Sequence, residues 1–164
     1  MRIAMLAACS LALSGALFGQ TISLAQVELA ASGKTLGELW SAVAGNPKSA
    51  EARAEVGFAL LSMNRLQQAE WAARESLTLD PSSARAQLLL GWTLAREYRY
   101  TAEALDCLSK ASRQYPQAHL GAAEVLEHQG SVAGAQAELE AYLANPDAEH
   151  RKIAGIWLQL LRKP

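Results

Sequence analysis

The chain has 164 residues, 51% of them hydrophobic and 19% charged, which suffices for one compact domain with a core of its own but not for two independent ones. Its 15 Lys and Arg nearly cancel its 16 Asp and Glu. No cluster of basic residues occurs that could follow a phosphate backbone, so nucleic acid is not an expected partner.

The segment 1–25 holds one charge, Arg2, followed by an apolar run over 3–18 and a polar segment ending Ser23-Leu24-Ala25. A positive end, a short apolar stretch and small residues before a cleavage point are the layout of a secretory signal peptide. Cleavage is placed after Ala25, so that 1–25 is a signal peptide and 26–164 an exported domain, periplasmic or secreted. Gly15 and Gly19 interrupt the apolar run, which falls short of the roughly 20 residues a bilayer requires. The alternative is an uncleaved anchor over residues 3–19, which would be the chain's one membrane contact. Leu6-Ala7-Ala8-Cys9 has the look of a lipobox, but Cys9 comes too early to leave an apolar segment before it. Cleavage removes Arg2 and Cys9, leaving 14 basic and 16 acidic residues, and leaves Cys107 alone, so no intramolecular disulfide can form. Between Leu105 and Leu108, with only Lys110 as a charged neighbour of opposite sign, Cys107 is read as a buried, inert thiol rather than a reactive one.

In the segment 34–47, Leu36, Leu39, Trp40 and Val43 share one helical face, and Gly45-Asn46-Pro47 stops the helix. Helices are then predicted over 48–63, 66–79, 83–98, 102–113, 117–129 and 132–143. Turn signals separate them at Asn64, Asp80-Pro81, Tyr115-Pro116 and Gly130-Ser131. No alternating run of β-branched residues competes, so the fold class is all-α. A last helix is predicted over 147–162, with Ile153, Ile156, Trp157, Leu160 and Leu161 on one stripe. Asn145 is its expected cap, Pro146 suits its first turn, and Asp147, Glu149, Arg162 and Lys163 match its dipole. Pro47, Pro81, Pro116 and Pro146 recur at a near-constant spacing, each closing a pair of amphipathic helices. Helix, turn and helix repeated roughly every 34 residues is the mark of one kind of α-solenoid.

In the segment 50–83, Val56-Gly57, Leu60, Ala69, Ala73, Leu77 and Pro81 fall in a pattern that 84–118 repeats with Leu90-Gly91, Leu94, Ala104, Leu108, Ala111 and Pro116. The second copy carries one extra residue, placed in the turn from Tyr98 to Thr101. These residues resemble the tetratricopeptide repeat family over most of the chain after the signal segment. The resemblance implies an α-solenoid with a half-repeat at 34–47, repeats at 50–83, 84–118 and 119–146, and a capping helix at 147–162. Gly57 facing Ala69, and Gly91 facing Ala104, would let paired helices approach closely. In the third copy Ala123 and Ala135 take those roles, with no glycine at the crossing.

Members of that family bind ligands on the concave face lined by the first helix of each repeat. Carried over, the inner surface presents Glu51, Ala54, Phe58, Leu61 and Ser62, then Arg85, Leu88, Trp92 and Arg96, then Leu120, Glu124, Glu127 and His128. From these, Phe58, Leu61, Arg85, Leu88, Trp92, Arg96, Glu124 and His128 are the candidate partner-binding residues, an amphipathic groove for an extended or helical peptide. The competing reading is that Phe58 and Trp92 only pack the fold. The Lys and Asn clamp of chaperone-docking members is absent, since Ala54 and Phe58 stand there. Trp71 sits among Gln67, Gln68, Arg74 and Glu75 and is expected on the convex side, partly buried against the adjoining repeat, capped by Arg74 or open to a second partner.

No Gly-rich phosphate loop, nucleophile elbow or zinc-protease signature occurs. His119, His128 and His150 make no metal-ligand spacing with one another or with Cys107. No catalysis, cofactor, metal or small-molecule substrate is therefore expected. The expected role is a protein-binding scaffold of the cell envelope that holds a peptide or partner subunit while a larger complex assembles. The alternative is self-association, in which the homo-oligomer is the working unit.

Overall fold

Four of the eight described helices start on a Ser or Thr side-chain cap. The structure, a computed structural model, describes residues 34–146 and 148–163. The predicted signal segment 1–25, its alternative as an anchor over 3–19, and Cys9 lie outside the described residues. The described helices are α1 (Leu36–Gly45), α2 (Ala50–Ser62), α3 (Leu66–Leu79), α4 (Ala84–Arg96), α5 (Ala102–Ala111), α6 (Ala118–His128), α7 (Val132–Ala144) and α8 (Arg151–Leu161), and no strand occurs among the described residues. The Thr35 side chain accepts from the Glu38 amide, and the Glu38 carboxylate accepts from the Thr35 amide at 2.6 Å, a reciprocal cap that opens α1. Ser49, Ser83 and Thr101 each accept from the amide three residues on and so open α2, α4 and α5.

The helices form two layers. On the inside α2, α4 and α6 pack along one another; on the outside α3, α5 and α7 each lie against the inner helix before, and α3 and α5 also against the inner helix after. α1 packs on α2 as α3 packs on α4, and α8 packs on α7 as α6 packs on α5. This is an all-α solenoid of helix pairs. A main core runs from Leu39 and Val43 in α1 to Val125 in α6, and a second one joins Leu120 and Ala123 to Leu139, Tyr142, Trp157 and Leu158. Each fully buried Leu of these layers, among them Leu39, Leu88, Leu89, Leu94, Leu108, Leu120 and Leu139, contributes roughly 2 kcal/mol by leaving water.

Two glycines let the layers close. A Cβ on Gly57 would lie 2.2 Å from Leu89 Cδ2 and 3.3 Å from Ala72 Cβ; on Gly91 it would lie 2.5 Å from Leu108 Cγ and 3.3 Å from the Ala104 carbonyl oxygen. Gly91 thus meets Ala104 as anticipated, whereas Gly57 meets Ala72 and the next inner helix rather than Ala69. The third pair departs from expectation. Ala50, Ala84 and Ala118 are the first residues of α2, α4 and α6, and counting forward equally from each puts Val125 in the place of Gly57 and Gly91. The close approach moves back one turn to Gly121, whose Cβ would stand 3.1 Å from Leu108 Cδ2 and 3.1 Å from Trp92 Cδ1. A glycine therefore does sit at this crossing. Ala123 and Ala135 are fully buried.

Each inner helix ends in the same way. Arg65, Arg99 and Ser131 donate their amides to Leu60, Leu94 and Leu126 at 2.9, 2.9 and 2.8 Å, and the residues just before them, Asn64, Tyr98 and Gly130, donate to Leu61, Ala95 and Glu127. This double bond pattern requires a left-handed residue at the second position, and Asn64, Tyr98 and Gly130 have φ of 59°, 57° and 79°. Gly takes that conformation without penalty and Asn at little; for an ordinary side chain it costs roughly 1–2 kcal/mol.

The final helix begins at Arg151 rather than near Asp147, with His150 at its cap. Bonds of the preceding segment explain the delay. The Ala148 amide donates to the Asn145 carbonyl at 3.2 Å, the Arg151 guanidinium donates to the same carbonyl at 2.6 Å, and the His150 amide donates to the Tyr142 hydroxyl at 3.1 Å. The predicted apolar stripe of this helix is split, since Trp157 is buried while Ile156 is 51% exposed, and Leu158, outside that stripe, is buried instead. Among the described residues no helix is long and apolar enough to cross a membrane.

Candidate partner-binding site

The inner helices place the predicted site residues in two groups. In the first, Phe58 of α2 and Trp92 of α4 meet edge to face at 6.2 Å and 86°, an arrangement the ring quadrupoles favour. Both lie at the ninth position of their helices, and Leu61 and Leu88 flank them. All four are buried, at 2% and 4% exposure for the rings and 3% and 1% for the leucines, within the main core. They form a floor rather than an open apolar groove, because the missing side chain at Gly57 brings α2 and α4 close and turns the rings into the seam between them. Arg85 covers this floor: its guanidinium carbon stands 5.4 Å from the Phe58 ring centroid, and it pairs with Glu51 at 3.1 Å.

In the second group Arg96 of α4 donates to the Asn64 side chain at 2.8 Å, tying the turn after α2 to the end of α4. Burial pulls the Arg96 guanidinium below its ordinary value. Glu124, predicted on an accessible inner surface, is instead buried, with 7% exposure. Burial pushes its carboxyl up to about 8, against the opposing pull of the Tyr100 hydroxyl at 3.5 Å and of Arg96. His128 is exposed and stacks on Tyr100 at 3.9 Å and 7°. Two other residues predicted on the inner surface are engaged elsewhere. Glu127 accepts from the Trp157 indole at 2.7 Å, and Leu120 is buried in the second core.

Several solved structures share this architecture. One is YrrB, described as a TPR protein with an unusual peptide-binding site, with a TM-score of 0.65 at 24% identity over 76% of this chain and 66% of that one. TTC0263, a thermophilic TPR protein of Thermus thermophilus, gives 0.65 at 18% identity over 83% of this chain and 76% of that one. The Yersinia enterocolitica type III secretion chaperone SycD, solved with a peptide of the translocator YopD, gives 0.58 at 20% identity over 68% of this chain and 88% of that one. The chain has the tetratricopeptide fold. No family profile matches the sequence, and no curated protein matches it.

Within the tetratricopeptide frame, α2, α4 and α6 are the first helices of three repeats and α3, α5 and α7 the second. On the outer layer Trp71 is 53% exposed and lies 6.3 Å from Trp40, itself 40% exposed. Arg74 does not cap Trp71; it bridges Glu70 and Glu103 at 2.8 and 2.7 Å. Cys107 is buried, and burial pushes its thiol up to about 11. Among the described residues no group of three or more His, Cys, Asp or Glu could hold a metal ion. Sequence reasoning missed Tyr100, which joins Glu124 to His128. The available signal was the lengthened turn that contains it.

Proposed function

We propose that this chain is a non-catalytic protein-binding scaffold, exported to the cell envelope, that holds a peptide or a partner subunit on its concave face during assembly of a larger complex. The observation that carries the reading is the placement of Arg85 over the Phe58 ring, which meets Trp92 at the matching position of the next repeat. An acidic side chain of a partner competes with Glu51 for Arg85 and draws the guanidinium off the Phe58 ring. Leu61, Leu88 and Trp92 then support the apolar side chains that follow, and Arg96 and His128 mark the polar end of the same face. The fold supports this reading, as do the peptide in SycD and the peptide-binding site ascribed to YrrB. Salt should weaken the ionic share of such binding and spare the apolar share.

The test is a photo-crosslinker at Ser62, carried in the wild type and in Arg85→Glu and recovered from the native envelope. A heterologous adduct formed by the wild type and lost in the charge reversal is expected. An adduct formed equally by both would remove the concave face from consideration. Mass spectrometry of the same sample should find Gln26 as the first residue; an intact Met1 in the cytosolic fraction would sink the export part of the reading. The exposed Trp40 and Trp71 pair supports a second reading, self-association, in which Trp40→Ser/Trp71→Ser would turn an oligomer into a monomer.

A further inference from the structure

The three inner helices end in one motif, yet its left-handed position holds Asn64, Tyr98 and Gly130. Asn and Gly suit that conformation, whereas a bulky aromatic does not. Packing does not explain the exception, because Tyr98 is 78% exposed, the most exposed large hydrophobic residue among those described. Backbone strain kept for a side chain that the core does not use is a pointer to function.

The surroundings of the ring say what it would meet. Tyr98 stands edge to face with Tyr100 at 6.3 Å and 77°, and Tyr100 stacks on His128, so three rings step along the edge formed by the turns between first and second helices. The Gln129 side chain holds the Tyr100 carbonyl at 3.0 Å and fixes the loop. Three arginines belong to these helix ends and turns, with Arg99 held by Glu70 of α3 at 2.7 Å. Arg96 reaches across to Asn64, Arg99 follows Tyr98, and Arg65 follows Asn64 at the matching position. Arg65 is exposed and has no ion-pair partner among the described residues. The carboxylates nearby are already engaged or covered: Glu97 pairs with Arg99 at 2.9 Å, Glu127 accepts from Trp157, and Glu124 is buried.

We propose that this turn edge, built from Tyr98, Tyr100, His128 and Arg65, is a docking surface for an acidic peptide segment that also carries an aromatic residue or proline. The aromatic or proline ring lies against Tyr98, and the acidic side chain meets Arg65. Tyr and Arg are the residues most used as anchors in such contacts. The surface shares His128 with the polar end of the concave face and is otherwise distinct from the floor under Arg85. It extends the scaffold reading and rests on it.

The probe is a phage-displayed library of random decapeptides, selected on the wild-type chain, with the enriched peptide then synthesised and titrated by fluorescence anisotropy. Acidic sequences with Trp, Tyr, Phe or Pro are expected. Tyr98→Asn should weaken the peptide about tenfold or more while raising Tm by about 3 °C, because the strain is relieved. Tyr98→Phe should retain binding. Loss of binding with a gain in Tm is the combination that a merely structural tyrosine would not give. A fall in Tm for Tyr98→Asn would overturn the proposal, as would enrichment of nothing or of basic sequences. A peptide held equally by Tyr98→Asn but lost by Arg85→Glu would overturn this surface and leave the concave-face reading standing.

Discussion

Gly57 and Gly155 both lie inside helices, and the same substitution should act on them with opposite sign. Gly57 is the eighth residue of α2 and Gly155 the fifth of α8. At Gly57 an added Cβ stands 2.2 Å from Leu89 Cδ2, far inside the 3.4 Å where ordinary contact begins, and Leu89 is itself fully buried. Overpacking of this kind costs about 1–3 kcal/mol, from which the helix preference of Ala over Gly returns about 1 kcal/mol. At Gly155 nothing lies within 4 Å, so only the preference of about 1 kcal/mol remains. Because an approach of 2.2 Å puts the clash at the upper end of the overpacking range, Gly57→Ala should lower stability by about 1–2 kcal/mol, and Gly155→Ala should raise Tm by about 2–4 °C. Thermal and urea unfolding followed by helix circular dichroism read both. A Gly57→Ala chain as stable as the wild type would refute the claim that this glycine admits Leu89, and a Gly155→Ala chain no more stable would refute the open space around α8.

Arg74→Ala removes the bridge from Glu70 to Glu103, but all three groups touch solvent, so the loss should stay at about 1 kcal/mol or less and shrink in high salt; urea midpoints at two ionic strengths check it. Glu124 has its carboxyl raised from 4.5 to about 8 in the folded chain, so the native state binds the extra proton between those values and stability falls as pH rises through that window. Glu124→Gln should remove that slope, which the difference between wild-type and variant unfolding curves at pH 5 and pH 9 will show. Cys107, buried with its thiol pushed up to about 11, should resist Ellman's reagent in the native chain and react fully in urea. Rapid native labelling would mean that the second repeat opens locally.

The solenoid is legible because its signals are local and repeated. Prolines at a near-constant spacing, Ser and Thr caps, and Gly57 and Gly91 at matching places each report on one turn of chain. The site is less legible because exposure is decided by neighbours from other repeats. The face that holds Phe58 and Trp92 can be read from periodicity, but their burial depends on how near α2 comes to α4 and on Arg85 reaching over. Glu124 reads as an accessible carboxylate for the same reason, since the pattern of the third repeat aligns on its alanines. Only the structure shows that Gly121 has taken over the close contact and that Val125 stands at the usual place.

The inner helices start in register, and the turn between α4 and α5 takes up an insertion. Ala50, Ala84 and Ala118 open α2, α4 and α6 at equal intervals along the chain, so the inner helices start in step even though the close contact moves back one turn to Gly121 in the third. Between α4 and α5, however, five residues stand where three join α2 to α3, and α5 has 10 residues where α3 has 14. An insertion in the inner layer would shift every later contact by about 100° around its helix, whereas one in the turn costs only loop closure. The added chain therefore accumulates at the turn edge, which is where Tyr98 and Tyr100 project. In a stack whose core positions are fixed by packing, that edge is the region most free to acquire a partner of its own.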